Sequence, residues 1–169
     1  FNSTAKFGRS QVAALMDHAL NLQNKNPDGS VLKYAARMLV AKLTRDNVAV
    51  FVRYLLSLAI HYPIVLPIAC SALERFRVPC DVVILRSIAT EHLDYRRSDG
   101  VCWTIYLAYL AGENLGHDFV KAVVKSGDCM GMTCLLAVGK GTGVIDRFLN
   151  TLSTATDYEK DQYWLLIHE

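Results

Sequence analysis

The chain has 169 residues, 52% of them apolar and 20% charged, which excludes a disordered tail and suits one domain with a sizeable core. Its five cysteines, Cys70, Cys80, Cys102, Cys129 and Cys134, are odd in number and form no CxxC pair, so buried free thiols in a reducing cytoplasm are a better reading than a disulfide framework. The net charge of +2 hides an asymmetry: residues 1–97 hold 13 basic against 7 acidic side chains, or +6, while residues 98–169 hold 5 against 9, or −4. A basic front half can face phosphate while the acidic half faces a protein neighbour, the plainer reading being ordinary solubilising charge.

The chain opens on FNSTAKFG, polar and without the apolar run of a signal peptide. It lacks an initiating Met and stops at LLIHE, inside an apolar helical pattern, and is expected to be a segment of a longer protein. Apolar residues then recur at three- and four-residue spacing with almost no strand-like alternation. After a helix starting near Ser10, the turn NPDG leads to Ser30, a good N-cap for SVLKYAARMLVAKL, because its hydroxyl can bond an orphan backbone N–H. In that helix Leu32, Ala35, Ala36, Leu39 and Leu43 form one stripe, with Lys33 and Arg37 on the opposite face.

Asp46 opens the next run, DNVAVFVRYLLSLAIH, where the polar positions after Asn47 are Arg53, Ser57 and His61. So narrow a polar stripe requires neighbours on nearly all sides. PIVLPIACSALERF follows, with Pro67 tolerated in the first turn. Tyr54 to Leu73 is 20 residues without formal charge, long enough to span a bilayer. Pro63 in the HYP turn divides it into arms too short to span, and no membrane is expected. Asp81 opens DVVILRSIATEHL, Ser98 or Asp99 opens VCWTIYLAYLAGEN, Asp118 opens FVKAVVK, and Asp157 caps YEKDQYWLLIHE.

First helices of successive pairs thus begin near Ser10, Asp46, Asp81 and Asp118, 35 to 37 residues apart. Second helices begin near Ser30, Pro63, Ser98, Asp128 and Asp157. That period is the one expected of helical-hairpin arrays. The expected fold is all-α, an α-solenoid of about five stacked, HEAT-like helical hairpins, with residues 1–169 forming a single helical repeat domain.

Three motifs invite chemistry. GKGTG at 139–143 lacks the Walker order of Gly, four residues, then Gly-Lys-Ser/Thr, and no strand precedes it. Gly139 fits a helix C-cap and Thr142 an N-cap, so the run is expected to be a hairpin turn. His117-Asp118, with His61 or His92 upstream and Asp146 downstream, resembles the metal-binding residues of HD phosphohydrolases. Because GHD follows ENLG, Asp118 is expected to act as an N-cap and His117 as a loop residue, with no metal bound. EHLDYRRSDG, from Glu91 to Gly100, ends one helix and starts the next. In it Arg96 and Arg97 are adjacent arginines on a turn, able to clamp a phosphate backbone, and Arg75, Arg77 and Arg86 lie nearby in sequence as a candidate basic rim.

KYAARMLVAKL, LLSLAIHYPIVLP and DYEKDQYWLLIHE resemble segments of the C-terminal helical, HEAT-like region of bacterial abortive-infection and defence-associated reverse transcriptases. The positions carrying the resemblance are Lys33, Tyr34, Arg37, Tyr62, Pro63, Asp161, Tyr163, Trp164, Leu165 and Glu169. It implies a non-catalytic domain of an antiviral RNA-directed DNA polymerase that binds RNA or organises the polymerase complex. The aromatic-x-Asp-Asp turn that binds the polymerase's metal ions does not occur in this chain. No catalytic residue and no cofactor is therefore expected in the segment, with Mg expected only in an upstream polymerase domain. The expected partners are an RNA or DNA backbone, the polymerase domain of the same chain and a second copy, with Lys33, Arg37, Arg96 and Arg97 as the backbone contacts. The competing expectation is a HEAT-like protein–protein scaffold that uses no nucleic acid.

Overall fold

A computed structural model describes residues 7–25 and 30–139. Every regular element among them is helical, and the fold class is all-α. The chain divides into two compact units, the first ending at Cys80 and the second beginning at Asp81.

The first unit contains α1 (Arg9–Gln23), α2 (Ser30–Val40), α3 (Val48–Leu58), a 3-10 turn at Pro63–Val65, and α4 (Leu66–Phe76). α1 packs chiefly on α2 and α3, and α4 on α3 and α2. Its core is the apolar stripe of each helix: Met16 from α1, Leu32 and Ala36 from α2, Phe51 and Leu55 from α3, Leu66 and Leu73 from α4, all essentially inaccessible. Arg53, Ser57 and His61 are exposed, and the residues between them are buried or half-buried, as a three-residue polar stripe demands. The uncharged stretch from Tyr54 to Leu73 breaks at the 3-10 turn, because Pro63 has no N–H to continue the ladder of α3. No helix among the described residues is long and apolar enough to cross a membrane.

Polar side chains join the ends of these helices. Gln23 is wholly buried, and its Oε1 accepts from the Leu32 amide at 3.0 Å, one of the first-turn donors of α2 that no carbonyl in its own helix reaches. Asn47, also buried, accepts from the Thr44 amide at 2.7 Å and donates to the Phe7 carbonyl at 2.7 Å. Tyr54 donates to Asp17 Oδ1 at 2.6 Å and so ties α3 to α1. Burial first, and then the carboxylate it bonds, push the Tyr54 phenol well above its ordinary pKa.

The second unit contains α5 (Val82–Asp94), α6 (Ser98–Ala111), α7 (His117–Ser126) and α8 (Cys129–Gly139). α6 is its centre, packing extensively on both α5 and α8, and α7 packs on α5 and α8. Leu85 and Ile88, Val101, Ile105 and Leu107, Val123, and Met132 supply the buried layer. Asp81 caps α5, its Oδ1 accepting from the Val83 amide at 2.8 Å, and Asp128 Oδ1 accepts from Gly131 at the start of α8 at 3.2 Å. The start of α7 differs from the sequence expectation. Gly116, with φ of 87°, is the cap, His117 is the first helical residue and Asp118 lies in the first turn. The Asn114 side chain bonds the Gly116 amide at 2.8 Å, and this local turn moves the boundary one residue upstream of His117. Asp157 and Thr142, the expected caps further on, lie outside the described residues.

Candidate nucleic-acid interface

The α5–α6 connection carries Tyr95, Arg96 and Arg97, all exposed. α5 ends in a paired-bond stop: the Arg97 amide donates to the His92 carbonyl at 2.8 Å and the Arg96 amide to the Leu93 carbonyl at 3.0 Å. This geometry forces the residue after the helix into the left-handed region, and Arg96 has φ of 53°. Glycine normally fills that place, since a Cβ there crowds the following carbonyl. The end of α6 follows the rule. There Gly112 has φ of 74°, and the Glu113 amide reaches the Ala108 carbonyl at 2.8 Å. Arg96 thus occupies a glycine position and projects from the turn. In the first unit Arg77 does the same after α4, with φ of 51° and its amide on the Leu73 carbonyl at 2.8 Å.

Beneath the turn, His92 is wholly buried against α6. A Cβ on Gly100 would come within 2.5 Å of the His92 ring, so only glycine at 100 lets the two helices close at this point. Thr104 Oγ1 donates to the Gly100 carbonyl at 2.7 Å, inside the same contact. The surface residues therefore stand on a rigid base. The Arg97 guanidinium lies over the Tyr95 ring, 5.2 Å from its centroid, a cation–π contact that holds both side chains outward. An exposed aromatic face beside two guanidinium groups can stack a base and bond phosphate oxygens together.

Lys33 and Arg37 lie four residues apart on α2, Lys33 half-buried and Arg37 exposed. Arg37 borders a shallow cleft with Val40, Pro67, Ile68 and Ser71. The structure accordingly distributes the predicted contacts as two pairs, one in each unit. The wider basic rim is not assembled within the second unit. Arg86 sits early in α5, donating to the Asn114 carbonyl at 3.3 Å, about 15 Å along the helix from Arg96 at 1.5 Å per residue. Arg75 belongs to the first unit, where it donates to the Val40 carbonyl at 3.3 Å and covers the Phe76 ring. Tyr95, exposed beside the two arginines, was not among the candidates the sequence suggested. Its signal was present in the Tyr-Arg-Arg run, an aromatic next to two cations.

The metal candidates are dispersed. His61 is exposed in the first unit, His92 is packed against Gly100, His117 begins α7, and Asp146 lies outside the described residues. Among the described residues no group of three or more His, Cys, Asp or Glu side chains is placed to hold a metal ion. Of GKGTG, Gly139 ends α8 and the rest lies outside the described residues, as do Asp161, Tyr163, Trp164, Leu165 and Glu169. The second unit also holds a cleft of about 410 Å³ lined by Ile105, Tyr109, Leu115, Val120, Leu135 and Glu113 among others. It is mainly apolar, with no paired acid and base on its walls. The chain matches no protein-family model, no curated protein and no solved structure.

Proposed function

We propose that the chain is a non-catalytic helical domain that binds an RNA backbone, the helical-repeat part of a bacterial antiviral reverse transcriptase. The observation that carries the binding is Arg96, a long charged residue kept at a left-handed helix stop where glycine is more stable. Backbone strain of this kind concentrates at functional sites. Arg97 and Tyr95 complete the contact, and Lys33 and Arg37 form a second one. The tie to reverse transcriptases rests on the sequence resemblance alone. On this reading the partners are RNA, the polymerase domain and further copies of the chain, the setting is the cytoplasm, and Mg belongs to the polymerase.

The finer architecture proposed is a HEAT-like α-solenoid of about five hairpins. The helix starts at Arg9, Val48, Val82 and His117, at nearly regular spacing, support it. A compact chain of this length has a radius of gyration of about 15 Å. Small-angle scattering from a solenoid is expected to give a value several ångströms larger, and a value at the compact limit removes the solenoid.

Binding is tested by titrating a fluorescent single-stranded RNA at several salt concentrations. Arg96→Ala with Arg97→Ala is expected to weaken affinity and flatten its salt dependence, because fewer counterions are released. Unchanged affinity and slope would remove the assignment. The protein–protein scaffold is favoured by one observation: Tyr34 and Met38 stand 65% and 76% exposed, one turn apart on α2. A domain that shows no salt-sensitive RNA affinity fits that second reading.

A further inference from the structure

The second unit brings two cysteines together across the contact between α6 and α8. Cys102 lies in α6 and Cys134 in α8, 32 residues apart in sequence. α6 and α8 approach closely because Gly131, one turn before Cys134, has no side chain. A Cβ there would lie 3.1 Å from Val101 Cγ1, on the residue next to Cys102. Across this contact the Cys134 thiol donates to the Cys102 carbonyl at 3.4 Å. The two thiols also hydrogen-bond each other. Both are free and half-buried, whereas Cys129, at the start of α8, is exposed, and Cys70 and Cys80 are buried in the first unit.

We infer that Cys102 and Cys134 form a reversible redox site, a dithiol that a small hydroperoxide converts to an α6–α8 disulfide. The bond between the two thiols makes them unequal. The thiol of Cys102, directed at the Cys134 sulfur, lowers the pKa of Cys134, and the same bond, with burial, raises that of Cys102. The carboxylate of Asp128 opposes ionisation of both thiols, and that of Asp99 opposes ionisation of Cys102. Cys134 is therefore the attacking sulfur and Cys102 the resolving one. Partial burial selects an oxidant of a few atoms over a bulky disulfide.

In the first step the Cys134 thiolate attacks one peroxide oxygen. An S–O bond forms, the O–O bond breaks, and the departing oxygen takes a proton and leaves as water when the oxidant is hydrogen peroxide. In the second step the Cys102 sulfur attacks the Cys134 sulfenic sulfur. The S–S bond forms, the S–O bond breaks, and the hydroxyl leaves as a second water with the proton from Cys102. Two thiols lose two electrons and two protons, and one peroxide becomes two waters. An external dithiol reverses the change by exchange. The cross-link joins the helices that carry Ile105 and Leu135, and so fixes two walls of the apolar cleft in the same unit.

The test uses the full 169-residue chain carrying Cys129→Ser, which removes the exposed thiol from the tryptic peptide that holds Cys134. After a few equivalents of hydrogen peroxide and alkylation, mass spectrometry is expected to find peptide 98–121 joined to peptide 126–140. The joined mass should be two hydrogens below the sum and be lost on adding dithiothreitol. Cys102→Ser is expected to leave Cys134 as a sulfenic acid that dimedone traps, while Cys134→Ser leaves no dimedone adduct on Cys102. Full alkylation of both thiols after peroxide overturns the inference, as does a bridge to Cys70 or Cys80. A dimedone adduct on Cys102 in the Cys134→Ser chain overturns the assigned order of attack.

Discussion

At the scale of single residues the informative positions are those where the side chain and the backbone disagree. Arg96 sits with φ of 53°, where a non-glycine residue costs roughly 1 kcal/mol or more through the contact of Cβ with the following carbonyl. Arg96→Gly should therefore raise the unfolding free energy by roughly 1 kcal/mol in a denaturant titration. The same substitution removes a guanidinium from the turn and should weaken RNA binding. Stability and affinity then move in opposite directions. A residue kept only for the fold would move neither way in binding, so retention of full RNA affinity by the glycine variant would show that Arg96 is no contact. The sequence displayed Arg96 and Arg97 as an adjacent pair but not this conflict, because a left-handed stop is defined by hydrogen bonds to residues three and five positions back rather than by residue type.

At the scale of elements, the helix starts were legible and the contacts between helices were not. Asp81 and Asp128 mark starts because their carboxylates bond first-turn amides locally, and local chemistry is written in adjacent residues. Asn47 in place of Asp46, and Gly116 in place of Asp118, show where that reading slips by one or two residues. Gln23 reaching Leu32, Cys134 reaching Cys102, and His92 under Gly100 depend on how two helices close on each other, which no spacing rule specifies. The last of these gives a sharp test. In Gly100→Ala the new Cβ would stand 2.5 Å from the ring of His92, a side chain with no accessible surface. Overpacking of this kind costs about 1–3 kcal/mol. The variant should lose that much stability and, because α5 and α6 hold the turn, also lose RNA affinity although no charge has changed. A variant as stable as the parent would mean that the α5–α6 contact yields easily and does not position the turn.

At the scale of the whole molecule, the question is whether one nucleic acid uses both basic pairs. Lys33 and Arg37 belong to the first unit, Arg96 and Arg97 to the second, and net charge alone does not decide between them. Counterion release does, because it counts contacts rather than adding energies. Each phosphate contact to single-stranded RNA contributes about 0.7 to the slope of log affinity against log salt. Removing either pair should flatten the slope by about 1.4, and removing both by about 2.8, if every one of the four side chains meets a phosphate. A pair whose removal leaves the slope unchanged makes no backbone contact, whatever it does to affinity. Tyr95→Ala is the uncharged counterpart. Loss of base stacking costs about 1–3 kcal/mol of binding per base and releases no counterions, so affinity should fall while the slope holds. A slope that falls with Tyr95 would mean that the ring serves to hold the Arg97 guanidinium, which covers it at 5.2 Å, in its phosphate-binding position rather than to stack a base.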